Sequence, residues 1–204
     1  MICFILIVFF FLNNDVTLAE GTCSKFQKVQ YGFTDINTYP DITAYPDLFF
    51  ECQIAEIGRN THINLFYDEK VRYYINLYFT ERKNQIFTIL ERSVKLFPLI
   101  SKYLEEFNLP PELKYLPILE SALSETAVSP SGAVGLWQFK KETGIHCGLI
   151  IDQKTDERID PAAATIAACK YLEEIYNQFG DWHLTLLAYQ AGPGTIRRAV
   201  ESSG

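Results

Sequence analysis

The chain has 204 residues, 48% hydrophobic and 14% aromatic, enough apolar side chain to close a core and too much for a disordered chain. Its 18 Lys and Arg against 25 Asp and Glu leave a net charge of −7, which argues against nucleic acid as a partner, because phosphate recognition leans on basic side chains.

The first element is an apolar run from Ile2 to Leu12. It is short for a bilayer span, which needs about 20 apolar residues, and it fits the core of a secretion signal. Thr17-Leu18-Ala19 places small residues where a signal peptidase reads, so cleavage is expected after Ala19. No Lys or Arg separates Met1 from the run, which leaves an N-terminal core helix or a membrane anchor as the alternative. Glu20-Gly21-Thr22 before Cys23 is a poor lipoprotein signal. Of five cysteines, Cys3 would leave with the signal, and Cys23, Cys52, Cys147 and Cys169 are available for disulfides in an oxidising compartment. No close CxxC pair supports a zinc or redox site, and Cys169 reads as a buried small hydrophobe.

Residues 20–62 give mixed signals, with Tyr39-Pro40-Asp41 and Tyr45-Pro46-Asp47 reading as turns or helix starts. From Asp68 the pattern is helical. Val71, Tyr74, Ile75 and Tyr78 form one stripe, and Ile86, Leu90, Val94 and Phe97 another. Pro98 suits the first turn of a further helix facing inward through Ile100, Leu104 and Phe107. Asn108-Leu109-Pro110-Pro111 breaks it. Pro111 opens a run through Leu113, Leu116 and Leu119 that Pro117 should kink or restart. Ser129 to Gly135 reads as a loop. Asp160-Pro161 starts a helix with Ile166, Cys169, Leu172, Tyr176 and Phe179 on one face, ended by Gly180. Trp182 to Tyr189 is a further apolar helix, Gly192-Pro193-Gly194 breaks it, and Thr195 starts the last. No strand pattern appears beyond the first apolar run, so the expected class is all-α.

Three segments carry candidate chemistry. Glu120 ends the apolar stretch Leu116-Pro117-Ile118-Leu119. Facing a cleft there, it would be held protonated, as an acid for glycosidic cleavage must be; on a solvated helix end it would be inert. Gly132 to Phe139 offers flexible glycines, two aromatic faces in Trp137 and Phe139, and the Gln138 amide for sugar hydroxyl or acetamido groups; either aromatic could equally belong to the core. Ala188 to Gly194 sets a Tyr189 hydroxyl and a Gln190 amide at a helix end beside glycines.

In order and spacing these segments resemble the soluble lytic transglycosylase domain, which is similar to goose-type lysozyme. Glu120-Ser121 matches the family's Glu-Ser motif, Gly135-Leu136-Trp137-Gln138 its Gly-Leu-Trp-Gln motif, and Ala188-Tyr189-Gln190-Ala191-Gly192 its Ala-Tyr-Asn-Ala-Gly motif. The segments 109–117, 156–161 and 179–182 look like the membrane-bound lytic murein transglycosylase D branch, and weaker resemblance reaches back to about Asn64.

The resemblance implies a lysozyme-like multi-helix fold and cleavage of peptidoglycan glycan strands between N-acetylmuramic acid and N-acetylglucosamine, leaving 1,6-anhydromuramic ends. It casts Glu120 as general acid and then general base. Ser121 and Gln138 would orient substrate or carboxylate, and Tyr189 would set its hydroxyl near Glu120. Gln190 stands at a family Asn position, one methylene longer. No metal or cofactor is implied. Glu125 and Glu142 match no family catalytic position and read as surface carboxylates.

The expected organisation is a signal peptide at 1–19, a segment of unassigned structure at 20–62, a helical extension at 63–108 and the catalytic domain at 109–204. Family domains continue beyond the point matching Gly204, so an incomplete domain of reduced activity is expected. The expected location is the periplasm or cell envelope, with membrane association open. Two other readings remain: a water-using muramidase of the same fold and a non-catalytic glycan-binding remnant.

Overall fold

Among the described residues the first helix begins at Asp47, the residue that closes the second Tyr-Pro-Asp tripeptide. The computed structural model describes residues 47–59, 61 and 67–203. The apolar run, the expected cleavage at Ala19, Cys23 and the Tyr39-Pro40-Asp41 turn lie outside the described residues. The chain divides into two units, Met1–Lys95 and Leu96–Gly204. No described helix is long and apolar enough to cross a membrane.

The first unit holds α1 (Asp47–Arg59), α2 (Glu69–Thr80) and the start of α3 (Lys83–Glu106). Cys52 on α1 is disulfide-bonded. Asp68 caps α2 by accepting the Val71 amide proton at 2.8 Å. Val71, Ile75, Tyr78 and Phe79 are its buried residues. Tyr74, expected on this stripe, is instead 41% exposed, with the Tyr73 ring edge-on to it at 5.4 Å. Phe79, one turn on from Ile75, takes the inward position.

The break expected at Pro98 does not occur, and α3 runs unbroken from Lys83 to Glu106. Proline forfeits one hydrogen bond to the carbonyl four residues back. That carbonyl belongs to Val94, which is 79% exposed, so water can serve it. Val94 is therefore not a core residue either. The buried positions of α3 are Ile86, Ile89, Ser93, Leu96, Ile100 and Leu104.

In the second unit the chain reverses at Asn108, whose φ of 53° lies in the left-handed region. A 3₁₀ segment (Pro111–Tyr115) is followed by α4 (Leu116–Ser121), so the run restarts at Pro117 as expected. Next come α5 (Lys141–His146), a 3₁₀ turn (Glu157–Ile159), α6 (Pro161–Phe179), α7 (Trp182–Ala191) and α8 (Pro193–Ser203). The last helix begins at Pro193, two residues before the expected Thr195, because proline is tolerated where no amide proton is needed. Asp160 caps α6 through the Ala163 amide at 2.7 Å, and Gly180 ends it at φ 66°. Helix α6 packs on α7 and on the preceding 3₁₀ turn, and α7 packs on α8.

The buried face of α6 is centred on Ala164, Ala168, Leu172 and Ile175, with Ile166, Tyr176 and Phe179 half-buried at its margins. Its small residues leave room for the wholly buried Trp137, whose indole donates to Thr165 Oγ1 at 3.0 Å. Cys147 and Cys169 are buried free thiols, and burial pushes them up to about 11 and about 12, so both stay protonated. Among the described residues the only β pairing is isolated bridges, so the all-α expectation holds. Two of these, Val128 to Val134 and Val134 to Phe139, fold residues 128–139 back on themselves.

Gly135 sits at the tightest point of that double turn. Its φ is +83°, and a Cβ there would lie 1.8 Å from the Arg158 carbonyl oxygen. Gly132 has φ +81° with nothing within 4 Å of its Cβ position. Gly132→Ala should therefore cost about 1 kcal/mol from backbone strain alone, and Gly135→Ala roughly 3 kcal/mol or more from strain plus displacement of backbone. Urea denaturation of the two variants checks the ordering; equal losses would contradict it.

Candidate active site

The short helix α4 ends at Ser121 because Ala122 and Leu123 both take left-handed conformations, at φ 51° and 58°. Two successive non-glycine residues there are strained, and such strain persists only where surrounding contacts over-determine it. The Leu123 side chain is buried and its amide donates to the Pro117 carbonyl at 3.2 Å. Ser121 supplies the other restraint. Its hydroxyl accepts from the Ser124 amide at 3.1 Å and lies 2.9 Å from the Leu136 carbonyl oxygen and 3.1 Å from that of Pro117, to which it can donate. Ser121 thus ties the turn after Glu120 to the Gly-Leu-Trp-Gln loop through the backbone.

Glu120 opens into a cleft of about 680 Å³, within the usual size range for ligand sites. Gln138, Tyr189 and Gln190 line the same cleft, so these four of the five sequence-derived candidates share one cavity, while Ser121 is not in its lining. Glu120 is the one carboxylate lining it among the described residues. Glu125 and Glu142 are not in the lining, and Glu142 is exposed. Burial raises the proton affinity of Glu120 above the ordinary glutamate value, and a hydrogen bond from the Gln190 amide works in the other direction. That bond is long, 3.5 Å from Nε2 to Oε1, so desolvation prevails.

Tyr189 donates its hydroxyl proton to the Trp137 carbonyl at 2.8 Å. Burial and the nearby Glu120 charge push its ionisation well up, so it remains a neutral donor. Gln138 has φ 51°, and its Nε2 donates to the carbonyls of Gly135 at 2.8 Å and Ala127 at 3.2 Å. The amide oxygen is the acceptor left to the cleft. Trp137 is 0% exposed and presents no face there; Phe139, though buried, does line the cavity.

Two contributors were not singled out from sequence. Tyr171 lines the cleft and stands between Phe139 and Tyr189, its ring 6.2 Å and 5.6 Å from theirs. It falls off the apolar stripe read for α6, which hid it. Arg158 is 8% exposed and clasps Asp156 with two nitrogens, Nε to Oδ1 at 2.9 Å and Nη2 to Oδ2 at 2.7 Å. Its Nη1 donates to the carbonyls of Gly132 and Phe139, each at 3.2 Å. One buried guanidinium so fixes both ends of the loop that carries Gln138. Among the described residues no group of three or more His, Cys, Asp or Glu side chains comes together to hold a metal ion.

Because the folded Glu120 has a raised pKa, its contribution to stability is fully present below the unfolded value, at about pH 4, and is lost as pH rises through the folded value. Glu120→Gln should therefore melt higher than the parent at pH 8, with the gap closing at pH 4. Thermal melts of both proteins at the two pH values check this, and a lower melting point for Glu120→Gln at pH 8 would refute it.

The Transglycosylase SLT domain family matches residues 98–204, about half of the chain. Over 105 residues the chain is 37% identical to membrane-bound lytic murein transglycosylase D of Escherichia coli strain K12, covering 51% of this chain and 23% of that protein. It is 33% identical over 99 residues to a putative tributyltin chloride resistance protein of Alteromonas sp., covering 48% of each. It is 38% identical over 79 residues to peptidoglycan transglycosylase gp16 of Escherichia phage T7, covering 38% of this chain and 6% of that protein. The chain thus spans less than half the length of each of these relatives. The motif residues Glu120, Gln138, Tyr189 and Gln190 fall inside the matched region and around one cleft, and the chain belongs to the Transglycosylase SLT domain family.

Proposed function

We propose that this protein is a peptidoglycan lytic transglycosylase in which Glu120 is the single acid and base. The observation that carries the reading is a cleft lined, among the described residues, by one carboxylate, whose burial favours its protonated form. Ordinary glycosidases use two carboxyl groups, the second serving as nucleophile or as base for water. With one, the substrate supplies the nucleophile.

Glu120 gives its proton to the oxygen joining C1 of N-acetylmuramic acid to O4 of N-acetylglucosamine. The C1–O4 bond breaks and N-acetylglucosamine leaves with a free 4-hydroxyl. The Glu120 carboxylate then takes the proton of the muramic 6-hydroxyl as O6 bonds to C1. The acid is regenerated, a 1,6-anhydro ring is formed and no water is consumed. Gln190, in contact with Glu120, and the Gln138 amide oxygen position the carboxylate and the sugar. Tyr189 braces the Trp137 carbonyl beside them. The family and its membrane-bound and peptidoglycan-acting relatives support placing the enzyme in the cell envelope, acting on glycan strands after export. Residues 1–19 would act as the signal and 109–204 as the catalytic domain, with 63–108 a helical extension.

Purified peptidoglycan digested by the protein should release muropeptides ending in anhydromuramic acid, read by mass spectrometry. Glu120→Gln should lower turnover by roughly 10³-fold, within the range for removal of a general acid–base group. Reducing ends in place of anhydro ends would make the enzyme a muramidase, and no turnover from the parent would make the domain non-catalytic. The parent's kcat/KM should fall as pH rises through the raised pKa of Glu120, because the acid must start protonated. A rate that climbs steadily through that range would contradict the assignment.

A further inference from the structure

Three charged side chains follow one another after the Gly-Leu-Trp-Gln loop, and their surroundings separate them. The Lys141 charge acts on Asp152 and Asp156, and the Glu142 charge acts on Arg158, so both serve the clasp behind the loop. Lys140 lines the cleft instead. It is exposed and forms no ion pair with any described residue. It is also the one cation among the described residues that line the cavity. The hydroxyl-bearing Ser129, Ser131 and Thr143 contribute to the same lining.

A cation with no ion-pair partner among the described residues, in a cleft whose other groups are the Glu120 carboxyl, amides, hydroxyls and aromatic faces, is matched to a glycan that carries an anion. We propose that Lys140 forms a subsite for a carboxylate borne by a muramoyl residue, an inference that rests on the glycan-strand reading above. Polymers of N-acetylglucosamine offer no such group. A muramoyl residue offers one in two ways: the lactyl carboxylate when the peptide has been removed, or the carboxylates of the stem peptide when it is present. Lysine meets either as a compact point charge rather than a fixed fork. The pair is solvent-exposed, so its contribution is modest and weakened by salt.

The test measures binding by calorimetry for the parent, Lys140→Gln and Lys140→Glu. Three ligands of matched length are compared: neutral chitooligosaccharide, muramoyl glycan stripped of peptides, and muramoyl glycan with its peptides. The ratio of affinity for carboxylate-bearing over neutral glycan should fall about fivefold in Lys140→Gln, further in Lys140→Glu, and the difference should shrink at high salt. A fall with stripped glycan identifies the lactyl carboxylate, and a fall confined to peptide-bearing glycan identifies the stem peptide. Unchanged ratios in every arm overturn the proposal. Binding needs no turnover, so a parent that shows this preference but yields no anhydro ends would sink the catalytic reading and leave the carboxylate subsite standing.

Discussion

A buried guanidinium holds the cleft together. Taking Arg158 out of water costs several kcal/mol in desolvation, and only a full set of partners offsets it. Asp156 supplies a two-pronged carboxylate, and the carbonyls of Gly132 and Phe139 accept from Nη1. The Arg158 carbonyl in turn occupies the space that a side chain at Gly135 would need. The loop therefore has no slack between Gly132 and Phe139. Trp137 is locked underneath by Thr165, Gln138 is pinned by two backbone carbonyls, and Lys140 emerges one residue beyond the clasp. The Asp156 carboxyl is held below its usual range by the Arg158 side chain, so this support is present above the unfolded value and is lost as pH falls through the folded one.

Against this fixed loop the α4 terminus sets a carboxylate under different conditions. Ser121 reaches the loop through the Leu136 carbonyl, and the left-handed pair Ala122 and Leu123 turns the chain immediately afterwards. Glu120 is left in a partly apolar hollow with one distant amide for company. The two acids illustrate opposite uses of environment: Asp156 is ionised to hold structure, and Glu120 is biased towards the proton it would have to give. Tyr189, neutral and committed to the Trp137 carbonyl, does not compete for that proton.

Much of the helical plan was legible because its signals are local. Asp160-Pro161 and Gly180 mark helix ends by capping chemistry that needs no tertiary context, and Pro117 restarts a helix as its missing amide requires. Pro98 was misread for the complementary reason: whether a proline ends a helix depends on who serves the orphaned carbonyl, and the exposure of Val94 is a tertiary fact. Glu120 stood out as a carboxylate closing an apolar run. Arg158 did not, because a buried arginine and a surface one are written with the same letter. Tyr171 and Lys140 reach the cleft from positions that no periodicity distinguishes. Trp137 was ambiguous between sugar platform and core, and the small side chains of α6 decide for the core.

The central claim is that desolvation raises the proton affinity of Glu120, the one carboxylate lining the cleft among the described residues. It is tested most directly by NMR titration of the glutamate side-chain carboxyl carbons, with the Glu120 resonance assigned by its loss in Glu120→Gln. The account predicts a midpoint clearly above those of the exposed glutamates. A midpoint at or below theirs would contradict it.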